Sequence, residues 1–219
     1  MSEPAPGVFV NSFGGVGSKT FVRACVGRDG RAALGPAHGH LRTPPASVPR
    51  SQRVVYLLGD PWNAVISFFG RRGGRHERHG FDGRGGGPVP HWAQKHCRNI
   101  GGDWRALSPE WDLAAFLAGG RDLFRLEDHY ANWRTATLPY PILFVRFEDH
   151  WRHLPAILDF LELPGAAADR FPPPQKRSSD WTAQPDAVRA GLDALYGGLR
   201  ARLLAEPPVF VHPAGGDPA

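Results

Sequence analysis

The first residues that could do chemistry are a single cation set among glycines. Lys19 lies in Asn11-Ser12-Phe13-Gly14-Gly15-Val16-Gly17-Ser18-Lys19-Thr20, between the apolar Val8-Phe9-Val10 and a second apolar stretch from Phe21. A buried strand that runs into a glycine-rich turn and then a helix is a device for holding anions. Its backbone N–H groups converge on one point, and the helix dipole adds positive potential there. Lys19 is the one full charge inside this turn. The turn is not a Walker A loop, because Ser18 stands where a glycine must precede the lysine.

Other constellations point to less. His76, His79, His91, His96 and Cys97 crowd one region, but their spacing matches no Cys/His zinc pattern, so no metal site is expected. Glu148-Asp149 reads as a cap on the helix after an apolar strand rather than as an acid pair. The two cysteines, Cys25 and Cys97, cannot build a disulfide framework, so nothing argues for an oxidising compartment.

The elements that must position the glycine turn follow from apolar patterning. Val8-Phe9-Val10, Val54–Leu58 and Ile142–Val145 are short apolar runs of strand length, suited to a parallel sheet covered on both faces. Helices are expected from Phe21 to near Gly27, from Pro61 to Phe69, around Leu113–Leu117, across Asp122–Thr135, over Leu154–Leu161 and over Val188–Leu204. Alternating strands and helices imply a three-layer α/β/α domain with a short parallel sheet. The 219 residues suit one domain spanning 1–219, with loose tails at 1–7 and 208–219. Residues 28–50 are rich in glycine and proline. Residues 70–105 are rich in Gly, Arg and His and are expected to form a long variable loop.

Composition narrows the partners. The formal charge is +5 and the pI near 9.7. All but three of the 26 basic residues are arginines, the lysines being Lys19, Lys95 and Lys176. The arginines are scattered and form no aromatic-interleaved stripe, so an anionic small molecule is expected rather than a nucleic acid. No apolar run approaches the roughly 18 residues a membrane span needs. The start of the chain lacks a basic segment followed by an apolar one, and a cytoplasmic location is the expectation.

Several segments, in order, resemble the sulfotransferase family. VVYLLGDPWNAVIS (Val54–Ser67) is similar to that family's 3′-phosphate-binding segment, a buried strand, Arg-Asp-Pro and a helix carrying a serine. The Phe13–Phe21 turn resembles its 5′-phosphosulfate loop, and His40-Leu41 sits where the family has a histidine in a Thr-His-Leu-Pro context. ILFVRFEDHWRHLPAILDFLEL (Ile142–Leu163) looks like the family's LFVRYEDL…ILEFLGL stretch. Lys176-Arg177-Ser178-Ser179-Asp180-Trp181 looks like its late Arg-Lys-Gly…Gly-Asp-Trp loop.

The resemblance implies a P-loop-like sulfotransferase fold and the donor 3′-phosphoadenosine-5′-phosphosulfate (PAPS), leaving adenosine 3′,5′-bisphosphate (PAP). It implies His40 as general base on a hydroxyl or amine acceptor, small-molecule or carbohydrate, and Lys19 as the stabiliser of charge on the leaving phosphate. It implies donor contacts from Gly15, Val16, Gly17, Ser18, Lys19, Thr20, Phe21 and Ser67. Two departures stand out. Gly59 replaces the family's arginine on the 3′-phosphate, and Gly15 its loop lysine. Lys19 lies four residues past Gly15, and Lys176 or Arg177, assisted by Arg71 or Arg72, could take over the 3′-phosphate. Two alternatives stay open. One is a divergent P-loop kinase or NTPase with Lys19-Thr20 on phosphates and Asp60 or Asp149 on magnesium. The other is a degenerate nucleotide-binding protein without transferase activity.

Overall fold

The computed structural model describes residues 7–27, 37–70, 92–171, 173 and 179–215. Lys176, Arg177, Arg71, Arg72, His76, His79 and His91 lie outside the described residues. A five-stranded sheet forms the centre, in the order β2-β1-β3-β4-β5. Its strands are β1 (Gly7–Asn11), β2 (His38–Gly39), β3 (Gln52–Leu58), β4 (Ile142–Arg146) and β5 (Val209–His212). Strands β1 to β4 are parallel, with Asn11 level with Tyr56 and Tyr56 level with Phe144, and β5 pairs antiparallel with β4. The expected all-parallel sheet is thus corrected at one edge. The expected loose tail from residue 208 is corrected as well, since Val209 to His212 form β5.

The helices are α1 (Ser18–Val26), α2 (Pro61–Phe69), α3 (Trp92–Asn99), α4 (Leu113–Ala118), α5 (Leu126–Arg134), α6 (Leu154–Phe160) and α7 (Asp186–Ala205). Helix α3 falls inside the stretch expected to be loop throughout. Its buried side chains are Ala93, His96 and Cys97, so a short apolar stripe suffices to dock it. Helix α2 starts where Pro61 fits the first helical position and Asp60 caps it, its Oδ1 accepting from the Trp62 N–H at 2.9 Å.

Val54 to Leu58 and Ile142 to Val145 are almost wholly buried, as strands covered on both faces must be. The crossover β1–α1–β2 runs one way along the sheet, and the crossover from β3 to β4 runs the other. With a common right hand, the two must lie over opposite faces. Accordingly Phe21 of α1 packs edge-on against His150 and Phe171. On the other side, Phe68 and Phe69 of α2 pack on His96, Phe116 and Phe124. Because connections leave β1 and β3 in opposite directions, a crevice opens between their carboxyl ends, the usual ligand position in such sheets.

Candidate functional site

The glycine turn occupies that crevice. Gly14, Gly15 and Gly17 take φ values of +90°, +68° and +82°, which L side chains rarely adopt. There is also no room for a side chain at any of the three, a Cβ on Gly17 falling 2.4 Å from the Phe147 ring. A Cβ on Gly14 would lie 2.2 Å from His96 Nε2, and one on Gly15 would lie 2.8 Å from Ala64 Cα. The turn is therefore pressed between α3 and α2. Gly17 ends it in the left-handed region and caps α1 without a side-chain bond, its carbonyl accepting from the Thr20 and Phe21 N–H groups.

Three imidazoles grip the same turn. His40 Nδ1 donates to the Ser12 carbonyl at 2.7 Å, and His96 Nε2 donates to the Phe13 carbonyl at 2.8 Å. His38 Nε2 lies 2.8 Å from Ser18 Oγ. The rings stack edge to face, with centroids 4.7 Å apart between His38 and His40 and 5.1 Å between His40 and His96. A carbonyl only accepts, so the bonds fix the tautomers. Neutral His40 carries its proton on Nδ1 and its basic lone pair on Nε2, and His96 is the reverse. Tying back the Ser12 and Phe13 carbonyls also fixes the planar peptides that follow them, so the turn is preorganised. The Gly14 N–H accordingly reaches Ser12 Oγ at 3.2 Å.

The position of His40 is set by Asn11. This wholly buried side chain continues the ladder of β1 past its last residue. Its Oδ1 accepts from the Leu41 N–H at 2.7 Å, and its Nδ2 donates to the Leu41 carbonyl at 3.0 Å. Trp133 Nε1 donates to the same carbonyl at 2.9 Å. Burial, with the nearby charges of His40 and Lys19, pushes His38 down to about 4, so its ring is neutral near pH 7. Beneath the turn, His129 Nδ1 bonds the Tyr56 hydroxyl at 2.9 Å, and burial pushes this ring down to about 3.

The expected donor contacts divide. Gly15, Gly17 and Ser18 belong to the turn, with Lys19 and Thr20 exposed in the first turn of α1. Val16 and Phe21 are buried core side chains, and the Phe21 N–H is spent on Gly17, so Phe21 is a packing residue. Lys19 and Ser67 stand on helices of opposite faces. The turn nevertheless leans on α2 at Ala64, and Ser67, half-buried, follows Ala64 by one helical turn. The two cysteines are no nucleophiles here, because burial pushes both thiols up to about 12.

The acidic residues differ from expectation. Glu148 and Asp149 do not cap a helix. Asp149 Oδ2 meets Arg146 Nη1 at 3.2 Å. Glu148 Oε1 accepts from the Asp60 N–H at 3.2 Å, and both its carboxylate oxygens lie 3.1 Å from where a Cβ on Gly59 would be. Asp60 in turn pairs with Arg200 Nε at 3.0 Å, and the Arg200 guanidinium lies over the rings of Trp62 and Trp181. Gly59, Asp60, Arg146, Glu148, Asp149 and Arg200 line a cavity of about 110 Å³ at the carboxyl ends of β3 and β4.

Fold and site define an α/β protein with a mostly parallel sheet and a histidine-braced glycine turn at its switch point. Comparison with models of protein families, with curated proteins and with solved structures finds no match to the chain. No helix among the described residues is long and apolar enough to cross a membrane.

Proposed function

We propose that this protein is a sulfotransferase that moves a sulfuryl group from PAPS to a hydroxyl or amine of a small-molecule or carbohydrate acceptor. The observation that carries the reading is His40, held at the glycine turn by the Ser12 carbonyl with its basic nitrogen at Nε2. That is the state a general base needs before it takes a proton from an acceptor, a role typically worth about 10²–10⁴-fold. Transfer forms the acceptor–sulfur bond, breaks the bond from sulfur to the phosphate oxygen and releases PAP. The turn and the first turn of α1 supply backbone N–H groups for the phosphosulfate end, and the Lys19 ammonium offsets charge on the departing phosphate. A transferred sulfuryl carries less negative charge than a phosphoryl, so no magnesium is invoked.

The side-chain pairings favour this reading over a magnesium-dependent kinase. Asp60 is engaged by the Trp62 N–H and by Arg200, and Asp149 by Arg146. Both carboxylates would have to leave their partners to hold a cation.

Calorimetry with PAP and with ATP plus magnesium, on the wild type and on Lys19→Ala, tests the proposal. PAP is expected to bind without metal and at least ~10-fold more weakly to the variant. Binding of magnesium-ATP with none of PAP would replace the proposal by the kinase reading.

A further inference from the structure

Ser18 and His38 share a hydrogen bond whose direction the fold leaves open. Ser18 opens α1 directly after Gly17, and its side chain is nearly buried. Among the described residues its hydroxyl meets one hydrogen-bond partner, His38 Nε2 at 2.8 Å. The imidazole comes from β2, level with Val10 of β1, and closes over the start of α1 from 20 residues away in sequence. His40 and His96 face carbonyls, which only accept, whereas a hydroxyl both donates and accepts. Among the described residues, the titratable groups that bear on the ring are Lys19 of α1 and His40, and β1 supplies none. Burial and these neighbours keep His38 neutral near pH 7, so the ring carries one proton. Placed on Nδ1, that proton leaves Nε2 as an acceptor, which consumes the Ser18 O–H. Placed on Nε2, it is donated to Ser18 Oγ, and the Ser18 O–H is free to turn elsewhere.

We infer that His38 is a positioning residue, whose Nε2–H holds Ser18 Oγ so that the Ser18 O–H donates to the 5′-phosphate of the nucleotide. This rests on the nucleotide reading of the crevice. A phosphate oxygen only accepts, so a phosphate at the turn takes the Ser18 O–H, and Oγ then receives its other bond from the ring. The anion thereby selects the Nε2–H tautomer. Hydrogen bonds to a charged acceptor are stronger than neutral ones, and a donor behind the hydroxyl polarises it further. His38 touches no ligand in this arrangement and acts through Ser18 alone.

Calorimetry with PAP tests this on the wild type, His38→Leu, Ser18→Ala, the double variant and His38→Gln. Each of His38→Leu and Ser18→Ala should weaken PAP at least ~10-fold. The double variant should be no weaker than the weaker single one by more than about twofold, because the two residues act as one unit. His38→Gln keeps an N–H donor and should bind within about threefold of the wild type. Imidazole nitrogen NMR of the wild type saturated with PAP should show the His38 proton on Nε2, a readout that does not depend on any variant folding. The inference is overturned by a His38→Leu that binds PAP as the wild type does, or by losses that multiply in the double variant. It is equally overturned by a His38→Gln as weak as His38→Leu, or by a His38 proton found on Nδ1 in the complex. PAP binding in any of those cases leaves the proposed function standing. A wild type that does not bind PAP overturns both.

Discussion

His40 Nδ1 and the carbonyl of Ser12 lie 2.7 Å apart, so the side chain that follows β2 is hydrogen-bonded to the backbone that leaves β1. One bond joins the two strand ends, sets the tautomer of the imidazole and braces the glycine turn. The strand ends cannot drift apart, because Asn11 bridges them again one residue on.

Replacing His40 should separate binding from chemistry. His40→Ala is expected to weaken nucleotide binding by no more than about tenfold, through the unbraced turn, while lowering turnover at saturating nucleotide at least ~10²-fold. Calorimetry and a sulfuryl-transfer assay measure the two quantities. Unaltered turnover would remove His40 from the mechanism.

The tightness of the turn has its own signature. Gly14→Ala forces a side chain into a backbone at φ +90° and into the His96 ring, and should cost about 1–3 kcal/mol of stability. Part of that cost is steric, so a double-mutant cycle with His96→Ala should show a compensating coupling of about 1 kcal/mol. Additive effects in urea unfolding would mean that the ring does not brace the turn.

Protonation of two rings ties stability to pH. His38 is held down at about 4 and His129 at about 3, both chiefly by burial. The unfolded chain titrates its histidines near ~6.5. Between that pH and the native values the unfolded state binds more protons, so stability falls as pH drops below about 6.5. The loss from His38 is complete below about 4, and that from His129 below about 3. Urea midpoints from pH 7 to 5 should decline less steeply in His38→Gln and in His129→Phe than in the wild type. Parallel slopes would contradict the assignment of neutral buried rings.

Much of this architecture is legible along the chain. The runs Val54–Leu58 and Ile142–Val145 are apolar throughout because both faces of those strands are covered, and Asp60-Pro61 announces α2 because capping and a fixed proline φ are local effects. The glycine turn is legible for the same reason, three of its residues needing a backbone that only glycine takes easily. What escapes is non-local or short. Strand β5 sits between Pro208 and Pro213 in a proline-rich tail, and only its pairing with β4 reveals it. The two-residue β2 is fixed by Asn11, which lies 30 residues from Leu41 in sequence. His96 reads as one of a crowd of basic residues, and its bond to Phe13 spans 83 positions. The His38-Gly39-His40 alternation does carry a signal, since residues two apart in a strand share a face. Glu148 reads as a helix cap because its actual partner, the Asp60 N–H, belongs to a distant strand end.

The central claim is that the turn at Gly14–Lys19 grips the phosphate end of a nucleotide beneath His40. Titration of isotope-labelled protein with PAP, followed by amide and imidazole NMR, tests it most directly. The largest shifts should fall on the amides of Gly15, Gly17, Ser18 and Lys19 and on the ring of His40. Saturable shifts confined to residues away from this turn, with His40 unmoved, would contradict it.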